Sequence, residues 1–94
     1  MPALPLAKLQ ARMQELVNWG LEGNALVKEF QFHTFPEAMI FVNNVAELAT
    51  QHDHHPTISI DYTLVRLRLI THDEQGLTDK DFLLAKAIDG VQKL

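Results

Sequence analysis

Apolar and polar positions along this chain change period several times, and each change marks an element. Leu6, Leu9, Met13, Leu16 and Val17 recur at helical intervals, with Lys8, Gln10, Arg12, Gln14 and Glu15 filling the other side. That spacing predicts a short amphipathic helix starting after Pro5 and ending near Asn18-Trp19-Gly20. Leu21-Glu22-Gly23-Asn24 reads as a turn. From Ala25 to Phe32 the period shortens: Leu26, Phe30 and Phe32 share one parity, and Glu29 and Gln31 take the other. This predicts a strand, with Lys28 breaking its alternation.

Thr34-Phe35-Pro36-Glu37 has the composition of a helix start, with a hydroxyl able to accept from the backbone and a glutamate able to reach back. Proline is tolerated there because its missing N–H would be unpaired anyway. The helix is expected to run to about Gln51, with Ala38, Phe41, Val42, Val45, Leu48 and Ala49 facing inward. Met39 and Ile40 lie off that stripe and suggest a second surface, suited to a subunit contact. Thr57 to Asp61 reads as a strand, Tyr62-Thr63 as a tight turn, and Leu64 to Thr71 as the clearest strand in the chain. In the last, Val65, Leu67 and Leu69 oppose Arg66 and Arg68, and His72 closes it on the parity of the arginines. A polar loop follows. Thr78 is the expected N-cap of a final helix that carries acids in its first turn and Leu84, Ala85, Ile88 and Val91 as its inward stripe. Asp81 falls on that same stripe.

Two hairpins, each followed by a helix, give the expected order α-β-β-α-β-β-α, with the opening strand of the first hairpin not delimited. That order predicts a two-layer α+β fold, a four-stranded antiparallel sheet with helices packed on one face. With 94 residues, 47% of them hydrophobic and 21% charged, the chain is expected to form one soluble domain over 1–94. Its core is modest, and partner subunits would help it. A net charge of -4 argues against direct nucleic-acid binding. There are no cysteines, so disulfides, thiolate zinc sites and thiol nucleophiles are excluded. The apolar runs are too short to span a membrane. Met1-Pro2-Ala3-Leu4-Pro5 lacks the make-up of a signal peptide, so the expected location is cytoplasmic.

The candidate chemistry concentrates in His52-Asp53-His54-His55-Pro56, which holds three of the five histidines. Imidazole exchanges protons near neutral pH. His54, His55 and His72 would suit a proton-handling set, with Asp53 or Asp81 orienting a ring. Adjacent side chains of an extended segment point apart, so His54 and His55 need an irregular backbone to share a pocket, and Pro56 restricts His55. Two other readings stand beside this one. His52, His54, His55 and His72 could supply imidazole ligands to a metal. Alternatively, histidines at a helix C-terminus are favoured by the helix dipole and do nothing more. His52 continues the inward stripe and reads as a packed residue, as does Trp19. Asp81 reads equally as a pocket residue or as a first-turn acid.

The spacing of these residues resembles the pattern of the pterin-4a-carbinolamine dehydratase family. That pattern is a charged residue, three of any type, His, His or Asn, and Pro, then an aromatic, a His or Trp, and an Asp. Here His54-His55-Pro56 is followed by Tyr62 after five residues, His72 after nine more and Asp81 after eight more. The stretch from Thr71 to Asp81, Leu21-Glu22-Gly23 and Phe30-Gln31-Phe32 are also similar to family segments. Thr50 stands where the family carries a charged residue.

The resemblance implies dehydration of a 4a-hydroxytetrahydropterin to a quinonoid dihydropterin in tetrahydrobiopterin recycling, with no metal or organic cofactor. His54 and His72 would be the acid/base pair and His55 would orient the pterin. Asp53, Pro56, Thr71, Asp73 and Asp81 would line the pocket or support a histidine. Tyr62 would be structural in its hairpin. The resemblance also implies a homodimer or homotetramer and an aromatic amino acid hydroxylase as a possible partner. A regulatory or coactivator-like role without catalysis is the alternative it leaves.

Overall fold

The computed structural model describes residues 2–92. Its elements are α1 (Leu6–Met13), β1 (Gly20–Glu22), β2 (Ala25–Gln31), α2 (Phe35–Gln51), β3 (Thr57–Asp61), β4 (Leu64–Leu69), a 3₁₀ turn (His72–Glu74) and α3 (Asp79–Gln92). The expected α+β order is found. The four strands form one antiparallel sheet in the order β1-β2-β4-β3. Its inner strands pair with Leu26 opposite Leu69 and Phe30 opposite Val65, and β3 adds on with Ile58 opposite Leu67.

Alternation in β4 produces the sheet's two faces. Val65, Leu67 and Leu69 are fully buried and Arg66 and Arg68 are not. The apolar face packs under α2 and α3, whose Ala38, Phe41, Val45, Phe82, Leu84, Ala85 and Ile88 join Leu26 and Phe30 in one core cluster. Phe30 and Phe41 meet at 4.7 Å between ring centroids, within the range of favourable aromatic contact. On the other face Arg66 pairs with Glu22 and, at 3.8 Å, with Glu29.

Lys28 stands on the buried parity, and the structure shows what it does there. Its ammonium donates to Asp89 at 2.8 Å and to the Val17 carbonyl at 2.9 Å. It also lies 4.9 Å from the Phe30 ring centroid and 5.8 Å from that of Trp19. The break in hydrophobic alternation is thus a paired, aromatic-covered cation rather than a change of register. Trp19 is in the core, as its sequence context suggested, and its indole N–H donates to both Asp89 oxygens at 3.1 and 3.0 Å.

Boundaries near the N-terminal end differ from the sequence reading. Helix α1 stops at Met13 rather than near Asn18, and Leu6 and Val17 are exposed. Asn18 takes a left-handed backbone, φ 63°, and this reversal lets Trp19 reach Asp89. A continued helix would carry Trp19 away from that partner. The predicted turn at 21–24 is also shorter, because Leu21 and Glu22 belong to β1 and only Gly23-Asn24 separate it from β2. Gly23 has φ 58°, a conformation that costs glycine nothing.

Helix α2 keeps its predicted span. Thr34 caps it by accepting from the Glu37 N–H at 3.2 Å. The Glu37 carboxylate bonds the Thr34 hydroxyl at 3.2 Å instead of reaching the cap's backbone N–H. Met39 is half-buried and Ile40 exposed. Tyr62, in the β3–β4 turn with φ 54°, stacks on Phe35 at 6.4 Å. Among the described residues no helix is long and apolar enough to cross a membrane.

Candidate active site

The site is built where α2 ends. His52 is its C-cap, half-buried, with its N–H on the Leu48 carbonyl at 2.9 Å. The N–H of Asp53 bonds the Thr50 carbonyl at 3.2 Å and that of His54 bonds the Ala49 carbonyl at 3.0 Å. Those two bonds, with Asp53 left-handed at φ 52°, make a Schellman ending in which aspartate takes the place usually held by glycine. The reversal turns His54 back over the fold, and Pro56 keeps His55 extended as the chain enters β3. The irregular backbone needed for adjacent histidines to share a pocket is therefore centred on Asp53.

His54 is anchored. Its side chain is 11% exposed, and Nε2 lies 2.5 Å from Oδ1 of Asp81, which is fully buried. The second carboxylate oxygen accepts from the Thr71 hydroxyl at 2.7 Å and from the Thr78 N–H at 2.9 Å. Because the Thr71 proton goes to Asp81, the 2.9 Å contact between the Thr71 and Thr78 hydroxyls has Thr78 as donor. Every other partner of Asp81 is thus a donor, and the carboxylate requires a proton on Nε2 of His54. That leaves Nδ1 as the nitrogen that can accept or release a proton. Asp81 resolves the two sequence readings by satisfying both: it closes the α3 N-terminus through Thr78 and fixes a histidine through its other oxygen. Thr78 stands at the predicted cap position, but its hydroxyl serves Thr71.

A cleft of about 380 Å³ opens beside this network. His54, His55, Asp53, Thr71, His72 and Asp73 line it, as do Ile70 and Lys80. Six of the eight residues singled out from sequence therefore meet in one cavity. Pro56 and Asp81 do not line it and act from behind. The strand expected to carry His72 stops at Leu69, and His72 instead opens the 3₁₀ turn. Thr71 and Gly76 bridge to each other, the Thr71 N–H donating to the Gly76 carbonyl at 3.0 Å. That closure diverts the chain from the sheet. Both His55 and His72 are exposed.

Ile70 and Lys80 were not found by sequence reasoning. Ile70 looks like a strand residue, and Lys80 is an ordinary polar position in a first helical turn. Thr50, in place of the family's charged residue, turns its hydroxyl to the Ala46 carbonyl at 3.1 Å and does not line the cleft. Among the described residues, no three His, Asp or Glu side chains converge as a metal site. A larger groove, about 520 Å³, runs along α2 past Phe32, His33, Ile40 and Asn44. His33 is its one imidazole, and its Glu37 is occupied by the Thr34 cap.

An oriented imidazole and two accessible ones are brought to one cleft by a helix end and a 3₁₀ turn of an α+β domain, and imidazoles so grouped are the side chains that general acid–base chemistry draws on. The comparisons narrow that class. The family model for pterin 4 alpha carbinolamine dehydratase matches residues 2–91, and the chain belongs to that family. A Chloroflexus aurantiacus protein with the provisional name pterin-4-alpha-carbinolamine dehydratase is 47% identical, over 97% of this chain and 98% of its own. One from Metallosphaera sedula, with the same provisional name, is 39% identical over 100% and 98%.

Among solved structures, a transcriptional coactivator/pterin dehydratase from Brucella melitensis superposes with a TM-score of 0.90, at 28% identity over 95% of this chain and 97% of that one. A pterin dehydratase-like protein described as a RuBisCO assembly factor in the alpha-carboxysome shares the fold, with a TM-score of 0.69 and 23% identity over 80% and 89%.

Proposed function

We propose that this protein dehydrates a 4a-hydroxytetrahydropterin to the quinonoid dihydropterin. The observation that carries the reading is the buried Asp81 clamp on His54, at the wall of a cleft that also holds His55 and His72. Family membership supports it. In the reaction the C4a–O bond breaks, the hydroxyl leaves as water after gaining a proton, N5 loses its proton, and a C4a=N5 double bond forms. Nothing is oxidised or reduced, so the step asks only for an acid and a base within reach of adjacent atoms. His54, through Nδ1, and His72 fill those roles. His55 orients the ring, and the exposed carboxylates of Asp53 and Asp73 suit the N–H-rich edge of a pterin. The physiological setting that fits is recycling of tetrahydrobiopterin after an aromatic hydroxylase.

His54→Ala and His72→Ala should each lower the dehydration rate by roughly 10²–10⁴-fold, the range for losing one general acid or base. His54→Ala also strips Asp81 of a partner, so its folding must be checked by denaturation. The His72 ring has no hydrogen-bond or ion-pair partner among the described residues, and alanine keeps the carbonyl that accepts from the Gln75 N–H, so His72→Ala should fold as wild type. Full activity in His72→Ala would remove His72 from the chemistry.

A non-catalytic, partner-binding role is the second reading, favoured by exposed Ile40 beside the α2 groove. It gives no reason for an aspartate to be buried behind a histidine that opens on a cleft.

A further inference from the structure

We propose that Asn24, in the distant β1–β2 turn, is a positioning residue for His72; this rests on the reading of His72 as an acid/base group. The two histidines of the reaction are held by opposite means. Asp81 fixes the ring of His54 directly. The ring of His72 has no such partner among the described residues, so its place is set by the backbone that carries it.

That backbone is a six-residue loop closed by the Thr71–Gly76 bridge, with the Glu74 N–H on the Thr71 carbonyl at 3.1 Å and the Gln75 N–H on the His72 carbonyl at 3.1 Å. Closure depends on Gln75, which is left-handed at φ 52° and ψ 38°. A residue with a Cβ disfavours that conformation unless its surroundings impose it. Asn24 supplies the constraint: its side-chain amide donates to the Gln75 carbonyl at 3.0 Å, across 51 positions of sequence. The next residues are held from the other side. The Leu4 N–H donates to the Leu77 carbonyl at 2.7 Å. Ala3 lies so close to Gly76 that an added Cβ there would sit 3.0 Å from its own. Asn24 does not line the cleft, so its influence on the reaction passes through the orientation of one peptide unit.

The test combines steady-state kinetics with NMR of the histidine side chains in Asn24→Ala, Asn24→Asp and Asn24→Ala/Gln75→Gly. Asn24→Ala should lower kcat about tenfold and leave KM within about twofold, because a displaced proton carrier slows chemistry while the pterin is still bound. Asn24→Asp keeps the size but loses the donor, and should be at least as impaired. Glycine at position 75 adopts the left-handed backbone unaided, so the double variant should recover kcat to within about threefold of wild type. The His72 ring resonances should shift or broaden in Asn24→Ala while those of His54 stay in place. Unchanged kcat in Asn24→Ala, a loss that Gln75→Gly does not recover, or unmoved His72 resonances would each overturn the proposal. If wild type shows no turnover, the dehydratase reading falls, and the His72 resonances alone still decide whether Asn24 positions the loop.

Discussion

Asp81→Ala should destabilise the protein by roughly 3–5 kcal/mol, the usual consequence of removing one member of a buried, charge-assisted network. The carboxylate is fully buried and serves the His54 ring, the Thr71 hydroxyl and the Thr78 N–H. Alanine leaves the Thr78 N–H at the start of α3 without its acceptor, and it frees the His54 ring to rotate. Chemical denaturation of wild type and variant gives the difference directly.

Asp81→Asn separates structure from chemistry. Its carbonyl oxygen can still accept from Thr71 and Thr78, so about half or less of the alanine penalty is expected. Its amide, however, would face Nε2 of His54 with a hydrogen. The imidazole must then carry its proton on Nδ1, which is the wrong tautomer for accepting one from the substrate. The rate should fall roughly 10²–10⁴-fold, far more than the stability change implies. Nitrogen chemical shifts of His54 report the tautomer. An unchanged tautomer in Asp81→Asn would break the link between this carboxylate and the reaction.

The second large effect lies outside the cleft, at the pair that Lys28 makes with Asp89 in the second half of α3. Lys28→Met should cost roughly 2–4 kcal/mol, although methionine matches the lysine stem in shape. The Lys28 side chain is 9% exposed and that of Asp89 19% exposed, and their contact is 2.8 Å. Removing the ammonium leaves the Asp89 carboxylate with the Trp19 indole N–H as its remaining partner among the described residues and little access to water. Asp89→Asn alone removes the counter-charge of a cation held between Trp19 and Phe30 and leaves it the Val17 carbonyl as acceptor. In Lys28→Met/Asp89→Asn neither charge is stranded, so the losses should not add. A double-mutant cycle should return a coupling of about 1–3 kcal/mol. Additive losses would mean that the two charges stabilise the fold independently of each other. Activity at the cleft should survive in whatever fraction of Lys28→Met is folded.

The parts of the fold legible in the sequence are those set by local rules. The strict alternation of β4 and the Thr34–Glu37 start of α2 depend on neighbours in sequence and were readable to within two residues. Where the reading went astray, a distant partner had decided the outcome. Leu16 and Val17 continue the period of α1, yet the helix ends at Met13 because Trp19 is required at Asp89, 70 positions away. His72 continues the parity of β4, yet the Thr71–Gly76 bridge takes it out of the sheet.

The candidate site divides in the same way. The histidines and their spacing were visible because imidazoles are few and clustered. The left-handed Asp53 that aims His54 was not, since aspartate there carries no more signal than any polar residue after a helix. Lys80 was hidden among first-turn polar residues. Asp81 was half visible: a charge on an apolar helical stripe is anomalous, but only the fold shows that it meets His54 27 positions earlier.

The most direct test is whether the wild-type protein accelerates loss of water from a 4a-hydroxytetrahydropterin generated in situ by a hydroxylase, followed by absorbance. The expected result is a rate well above the spontaneous reaction, proportional to protein concentration and absent in His72→Ala. A spontaneous rate in the presence of well-folded wild type would contradict the dehydratase assignment and turn attention to the partner-binding reading.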